Sequence, residues 1–80
     1  MRRSARVLQA AIVSVPDTNE PAIRIITDYA RSDERAFYVR PGSPLPALGD
    51  PISWGDNHEW YGGGEVRNVG YSFDPCAPLR

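Results

Sequence analysis

The chain has no lysine, a single cysteine and a single histidine among its 80 residues. One cysteine excludes an intramolecular disulfide. With one histidine, His58, a metal site would have to be built mostly from carboxylates. We therefore predict no metal site and no cofactor. A single free cysteine, Cys76, fits a reducing compartment, which predicts a cytoplasmic location.

Long hydrophobic runs are also absent. The apolar stretch from Val7 to Val15 follows Arg2 and Arg3, as in a secretory signal, but it is interrupted by polar residues and has no small-residue cleavage site. It is also too short to cross a bilayer. The sequence predicts no association with a membrane.

The chain lacks a strong charge of either sign. Nine arginines and ten acidic residues give a net charge of −1, whereas nucleic-acid-binding domains are usually clearly basic. The two halves differ, however. Residues 1–40 hold seven of the arginines and residues 41–80 hold two, so a basic face is available only in the first half.

The length allows one small domain, which we place at residues 1–74, followed by a proline-interrupted tail at 75–80 that we expect to be flexible. A domain of this size has a thin core. Neither a disulfide nor a metal is predicted to reinforce it, so self-association into a homo-oligomer remains an open alternative to a monomer.

Four of the ten residues in the first segment, residues 6–15, are β-branched. Val7, Ile12, Val13 and Val15 favour a strand there. A helix capped by Ser4 is the alternative, because several apolar residues of the segment also fall on one helical face. We predict a strand.

The next two segments, residues 22–30 and 36–40, alternate between apolar and polar residues. Ile23, Ile25, Thr27 and Tyr29 share one face of the first. The polar residues 31–35 between the segments are typical of a turn, so we predict a hairpin. A helix over residues 28–38 is the alternative.

Proline and glycine divide the second half of the chain. Residues 41–49 form a proline-rich loop, residues 49–54 a turn and a short strand, and residues 62–64 a glycine tip. Residues 65–73 form a last strand, whose apolar residues change phase near Arg67 and Asn68, which predicts a β-bulge. The fold class is therefore all-β, a small barrel or strongly twisted antiparallel sheet of four or five strands.

The turn that begins near Gly49 and the strand that follows the glycine tip resemble the pattern of SH3-like barrels. The resemblance rests on Leu48-Gly49-Asp50-Pro51-Ile52-Ser53-Trp54, then Gly64-Glu65-Val66 and Val69-Gly70, about a quarter of the chain. Pro51 departs from the pattern, since that position usually donates a hydrogen bond to the sheet. The resemblance implies an SH3-like barrel, a fold that serves protein, peptide and nucleic-acid binding alike.

The predicted core combines the inward-facing positions of all these strands. It consists of Val7, Ile12, Val13, Ile23, Ile25, Phe37, Val39, Ile52, Trp54, Val66, Val69, Tyr71 and Phe73.

An aromatic and acidic hairpin loop, residues 54–61, is the leading candidate for a functional site. It contains Trp54, Asp56, His58, Trp60 and Tyr61. Tryptophan and tyrosine contribute much of the energy of protein interfaces. The alternative places the aromatic rings in the core, which we favour for Trp54 and leave open for Trp60. The pattern predicts a non-enzymatic interaction module that binds a protein partner of unknown identity.

A basic face is the alternative site. Arg24, Arg40 and Arg35 are expected near Tyr38 in the first hairpin. Arginine contacts phosphates and tyrosine stacks on bases, so this face predicts a nucleic-acid-binding barrel.

Other reactive residues lack the partners that catalysis needs. The acidic residues of the second half have no spacing that requires them to meet, and Cys76 has no basic neighbour in the sequence. The glycine tip lacks the lysine and the following helix of a phosphate-binding loop. Catalysis stays open, with the balance against it.

Overall fold

The computed structural model describes residues 2–16, 18–41, 45–56, 59–62, 65–66 and 71–73. Seven strands account for most of them: β1 (Arg3–Ser14), β2 (Pro21–Thr27), β3 (Ala36–Val39), β4 (Pro51–Trp54), β5 (Trp60–Gly62), β6 (Glu65–Val66) and β7 (Tyr71–Ser72). A single 3₁₀ turn at Ser32–Glu34 separates β2 from β3. No α-helix occurs in the described part of the chain.

All seven strands belong to one antiparallel sheet with the order β6-β5-β4-β1-β2-β3-β7. The prediction of an all-β fold built on a twisted antiparallel sheet is confirmed. The number of strands is larger than predicted because β5 forms where a loop and a glycine tip were expected, and because the last segment contributes two strands of two residues each.

The two outermost strands of the sheet come from that one segment. β6 pairs with β5, and β7 pairs with β3. Five peptide units separate Val66 from Tyr71, so these two edges lie within about 18 Å of each other. Closure into a barrel, and the bulge near Arg67 and Asn68, depend on residues outside the described part of the chain.

The first segment is a strand, as predicted, and the alternative helix is wrong. β1 begins at Arg3, three residues before the expected boundary, because Arg3 to Arg6 pair with β4. The register against β2 shifts between Val7 and Gln9, so Leu8 is the extra residue of a β-bulge.

The predicted hairpin of β2 and β3 is also confirmed, and the alternative helix over residues 28–38 is wrong. β2 ends at Thr27, before the expected boundary at Ala30. The fully buried Thr27 hydroxyl donates to the Arg35 carbonyl oxygen at 2.8 Å and accepts from the Tyr29 N–H at 3.3 Å. This threonine therefore fixes both ends of the connection.

A tight turn leads into β4 where the SH3-like pattern was noted. Gly49 has a φ of 84°, in the left-handed region that favours glycine. The Asp50 carboxylate accepts the Ala47 N–H at 3.0 Å. Pro51 is accommodated because the preceding residue makes the hydrogen bond to β1 at this point: the Asp50 carbonyl oxygen accepts the Val7 N–H at 3.0 Å.

The main core lies on one side of the sheet and contains Val7, Ile23, Ile25, Phe37, Val39, Ile52, Trp54 and Trp60, with Phe73 packed against it. Seven of these were predicted as core, and Phe73 also contacts the core as predicted. A smaller cluster comprises Val15, Ala22 and Tyr38, with Val13 partly buried beside it.

Ile12 is a wrong prediction for the core, since 67% of it is exposed. It faces the same side as Ile23, its partner in β2, but β4 ends its pairing with β1 at Arg6 and leaves Ile12 uncovered. The side chains of Val66, Val69 and Tyr71 lie outside the description.

None of the described residues form a helix that is long and apolar enough to cross a membrane.

Candidate functional site

Both ends of the expected aromatic loop belong to strands. Trp54 ends β4 and Trp60 begins β5, and these two residues pair directly across the hairpin. The Gly55 N–H donates to the Glu59 carbonyl oxygen at 3.2 Å, which closes the turn. The described residues therefore correct the loop boundaries from 54–61 to 55–59, and His58 lies outside the described part.

Both tryptophans are core residues. Trp54 and Trp60 are each 0% exposed, so neither indole ring presents a surface to a partner in this structure. The core interpretation of Trp54 is confirmed. For Trp60 the question left open by the sequence is answered in favour of the core, and the expectation that either ring lies on a binding surface is wrong.

Aromatic contacts hold the hairpin to the rest of the sheet. The Trp54 ring centroid lies 5.5 Å from that of Tyr29, 4.8 Å from that of Phe37 and 6.5 Å from that of Phe73. Edge-on and tilted pairs at such distances stabilise beyond simple burial. The tryptophans thus act as anchors that fix the orientation of the residues beside them.

Tyr61 is the aromatic residue of the hairpin that remains accessible. It follows Trp60, so strand alternation turns it to the opposite side of the sheet. There it pairs with Ser53, which in turn pairs with Ser4 of β1. The guanidinium of Arg2 lies over the Tyr61 ring at 4.4 Å from its centroid, within the range of a cation–π contact.

These residues line a shallow cleft of about 300 Å³, whose walls are Ser4, Ala5, Pro51, Ile52, Ser53 and Tyr61. No acidic side chain lines it. Arg2 covers one wall, and Arg6 pairs with Pro51 at the other end. We call the surface formed by Arg2, Ser4, Arg6, Pro51, Ser53 and Tyr61 the outer face. It combines a ring, a proline, two hydroxyls and two cations.

An ion-pair network lies on the inward side of the same strands. Arg3 is only 8% exposed; it donates to Glu34 at 2.9 Å and to Asp56 at 2.8 Å. These hydrogen bonds, first to Glu34 and then to Asp56, raise the pKa of Arg3. Arg31 lies farther out, with its Nε 3.8 Å from Glu34. The network ties the start of β1 to the 3₁₀ turn and to the hairpin.

Asp56, a predicted binding residue, belongs to this network. Its side chain is 62% exposed. The terminal amino group and then Arg3 lower its pKa from 3.8 to about 2. Asp56 therefore stays ionised at neutral pH, and its bond to Arg3 holds the hairpin turn in place.

The alternative basic face is only partly assembled. Tyr38 is 5% exposed, so its ring is not available to stack on a base, and that expectation is wrong. Arg24 pairs with Tyr38 across β2 and β3 and is half-buried. Arg35 donates to the carbonyl oxygens of Tyr29 and Ala30. Arg40 is exposed.

Arg2, Ser4 and Arg6 were not predicted as neighbours of Tyr61. Period-two spacing of these three residues was visible, and it becomes informative once β1 is extended toward the amino end of the chain. Among the described residues, no three His, Cys, Asp or Glu side chains gather in an arrangement that would hold a metal ion.

No protein-family model, curated protein or solved structure matches this chain.

Proposed function

We propose that the protein is a non-enzymatic interaction module that binds a protein partner through the exposed side of its β4–β5 hairpin. The observation that carries the proposal is the cleft beside Tyr61, with Arg2 over the ring. Tyr61 supplies the central contact of this surface. Trp54 and Trp60 support the surface from the core.

The chemistry of the outer face favours an extended acidic segment as the partner's contribution. A flat ring and Pro51 offer apolar area, and the hydroxyls of Ser4 and Ser53 offer hydrogen bonds. Arg2 and Arg6 place positive charge at the ends of the cleft, where carboxylates of a partner would be attracted.

Substitution of Tyr61 tests this proposal. The tagged protein is used to capture partners from its own host, and the affinity of each purified partner is then measured by calorimetry. Tyr61→Ser should weaken binding about 30-fold, the effect of losing one strong aromatic contact, whereas Tyr61→Phe should retain most of it. Arg2→Ser should also weaken binding, while Arg31→Ser, an exposed arginine elsewhere, should not.

A partner bound equally well by wild type, Tyr61→Ser and Arg2→Ser would refute the assignment of the site. Trp60→Ser is unsuitable for this purpose, because removal of a fully buried indole destabilises the fold. Each variant is therefore checked by thermal unfolding before its affinity is compared.

Nucleic acid is the alternative partner, and one observation supports it: Arg2 lies over an accessible tyrosine of the outer face, and Arg6 adds a second cation to the same face. Phosphate contacts make affinity fall steeply with salt. Captured material that disappears after nuclease treatment, and binding that weakens at least tenfold between low and physiological salt, would favour this alternative over a protein partner.

A further inference from the structure

β1 is much longer than the strand that covers its outer edge. It runs for 12 residues, whereas β4 pairs with it only from Arg3 to Arg6. One further contact joins Val7 to Gly49 and Asp50. Beyond that point β2 pairs with one edge of β1 up to Ser14, and no described residue pairs with the opposite edge.

The alternation of the strand determines which backbone N–H and C=O groups point to this open edge. The Val15 N–H donates to the Glu20 carbonyl oxygen on the β2 side. Backbone groups alternate in direction along an antiparallel strand, so those of Ala10, Ile12 and Ser14 point to the open edge. They form a row of donors and acceptors ready to accept another strand.

The side chains of this edge lack the features that usually protect one. Residues 7–15 contain no charged residue and no proline, although charges and prolines are the common means of blocking edge-to-edge pairing. Leu8 is 55% exposed and Ile12 is 67% exposed. Leu48, 72% exposed, precedes the Gly49 that bonds to Val7 at the start of the edge.

We propose that a second copy of this chain covers the edge, through antiparallel pairing of β1 with β1 about a two-fold axis. With the axis at Ile12, Ile12 lies opposite its own copy and Ala11 lies opposite Val13 of the other chain. Every facing pair is then uncharged, and the two short apolar patches merge. Closed two-fold pairing uses both open edges and therefore stops at a dimer.

The charged residues near the two ends of the edge do not oppose this self-pairing. Arg6 precedes the uncharged segment, and Glu20, bonded to Val15, lies on the β2 side, away from the open edge. Antiparallel pairing about Ile12 therefore places no two like charges opposite each other. The other sheet edges, β6 and β7, are strands of two residues and too short to compete.

Opposite charges at position 12 test the pairing. Sedimentation velocity of the full chain between about 5 and about 200 µM should show a concentration-dependent dimer. Ile12→Lys and Ile12→Glu should each weaken dimerisation at least about tenfold, because like charges would face each other. An equimolar mixture of the two variants should restore a dimer. Leu45→Lys and Leu45→Glu, at an exposed leucine outside β1, should behave as wild type.

Three results would overturn the proposal. These are a wild type that stays monomeric throughout the range, charged variants that remain dimeric, and a mixture that stays monomeric. Circular dichroism confirms that each variant is folded. Ile12→Thr keeps the β-branched shape without adding a charge, so it should weaken dimerisation less than either charged variant. Tyr61→Ser should leave dimerisation unchanged, which separates this surface from the outer face.

Discussion

Arg3 is the residue whose replacement we expect to reveal most about the stability of this fold. Its side chain is 10% exposed and that of Glu34 is 14% exposed, with 2.9 Å between their nitrogen and oxygen atoms. Asp56, the second acidic partner, is 62% exposed. Replacement by Met keeps most of the volume of Arg3 and removes its charge, which leaves Glu34 as a largely buried carboxylate.

The expected cost follows from the burial of each partner. Breaking a buried ion pair by removing one member costs about 3 to 5 kcal/mol, whereas an exposed pair such as that with Asp56 contributes about 0 to 1 kcal/mol. The Arg31 Nε, 3.8 Å from Glu34, partly replaces the lost charge. We therefore expect Arg3→Met to lower the free energy of unfolding by about 3 kcal/mol. For a domain of this size the melting temperature should fall by roughly 12 to 24 °C.

A double-mutant cycle isolates the ion pair from other effects of the substitution. Arg3→Met, Glu34→Leu and the combined variant are unfolded in urea and compared with wild type. The combined variant should be more stable than Arg3→Met alone, since an apolar pair needs no counter-charge. Arg31→Met, at an exposed site, is the matched control and should cost less than about 1 kcal/mol. Additive effects of the two single substitutions would refute the reasoning.

Three further substitutions probe single features of the fold. The Asp56 carboxylate, whose pKa is lowered in the folded state, contributes stability above its unfolded pKa near 3.8, and this contribution is lost as the pH falls toward 2. The difference in stability between wild type and Asp56→Asn should therefore shrink over that pH range. A constant difference would contradict the assignment. Thr27→Val should cost about 1 to 2 kcal/mol in urea unfolding because the buried hydroxyl bond to Arg35 is lost, whereas Thr18→Val, at an exposed site, should cost little. Gly49→Ala has open space for its methyl group, so its expected cost of about 1 to 2 kcal/mol comes from the positive φ alone, and an unchanged melting temperature would exclude that conformation.

Strand type and the main core were predictable because they depend on local alternation. Ile23 and Ile25 recur at the period of a strand, and β-branched residues such as Val7 favour a strand over a helix in a segment that is otherwise ambiguous. The turn at Gly49 was also predictable from the local sequence, because its residue types favour a turn.

Features that depend on distant partners were not predictable. Trp60 looked like a loop residue because its burial requires pairing with Trp54 and cover from residues far along the chain. Arg3 gave no local signal, because its partners Glu34 and Asp56 lie 31 and 53 residues away. Ile12 has the sequence of a core residue, and its exposure results from the short length of β4.

The bulge at Leu8 divides β1 into two parts that serve different contacts. Before the bulge, β1 is covered by β4 and contributes Ser4 to the outer face. After it, β1 has β2 on one edge and an open edge on the other. Strand pairing extends a sheet within its own plane, whereas the outer face is presented perpendicular to that plane. A dimer formed through the open edge therefore leaves both copies of the outer face uncovered, and two linked sites bind a multivalent partner more tightly than one.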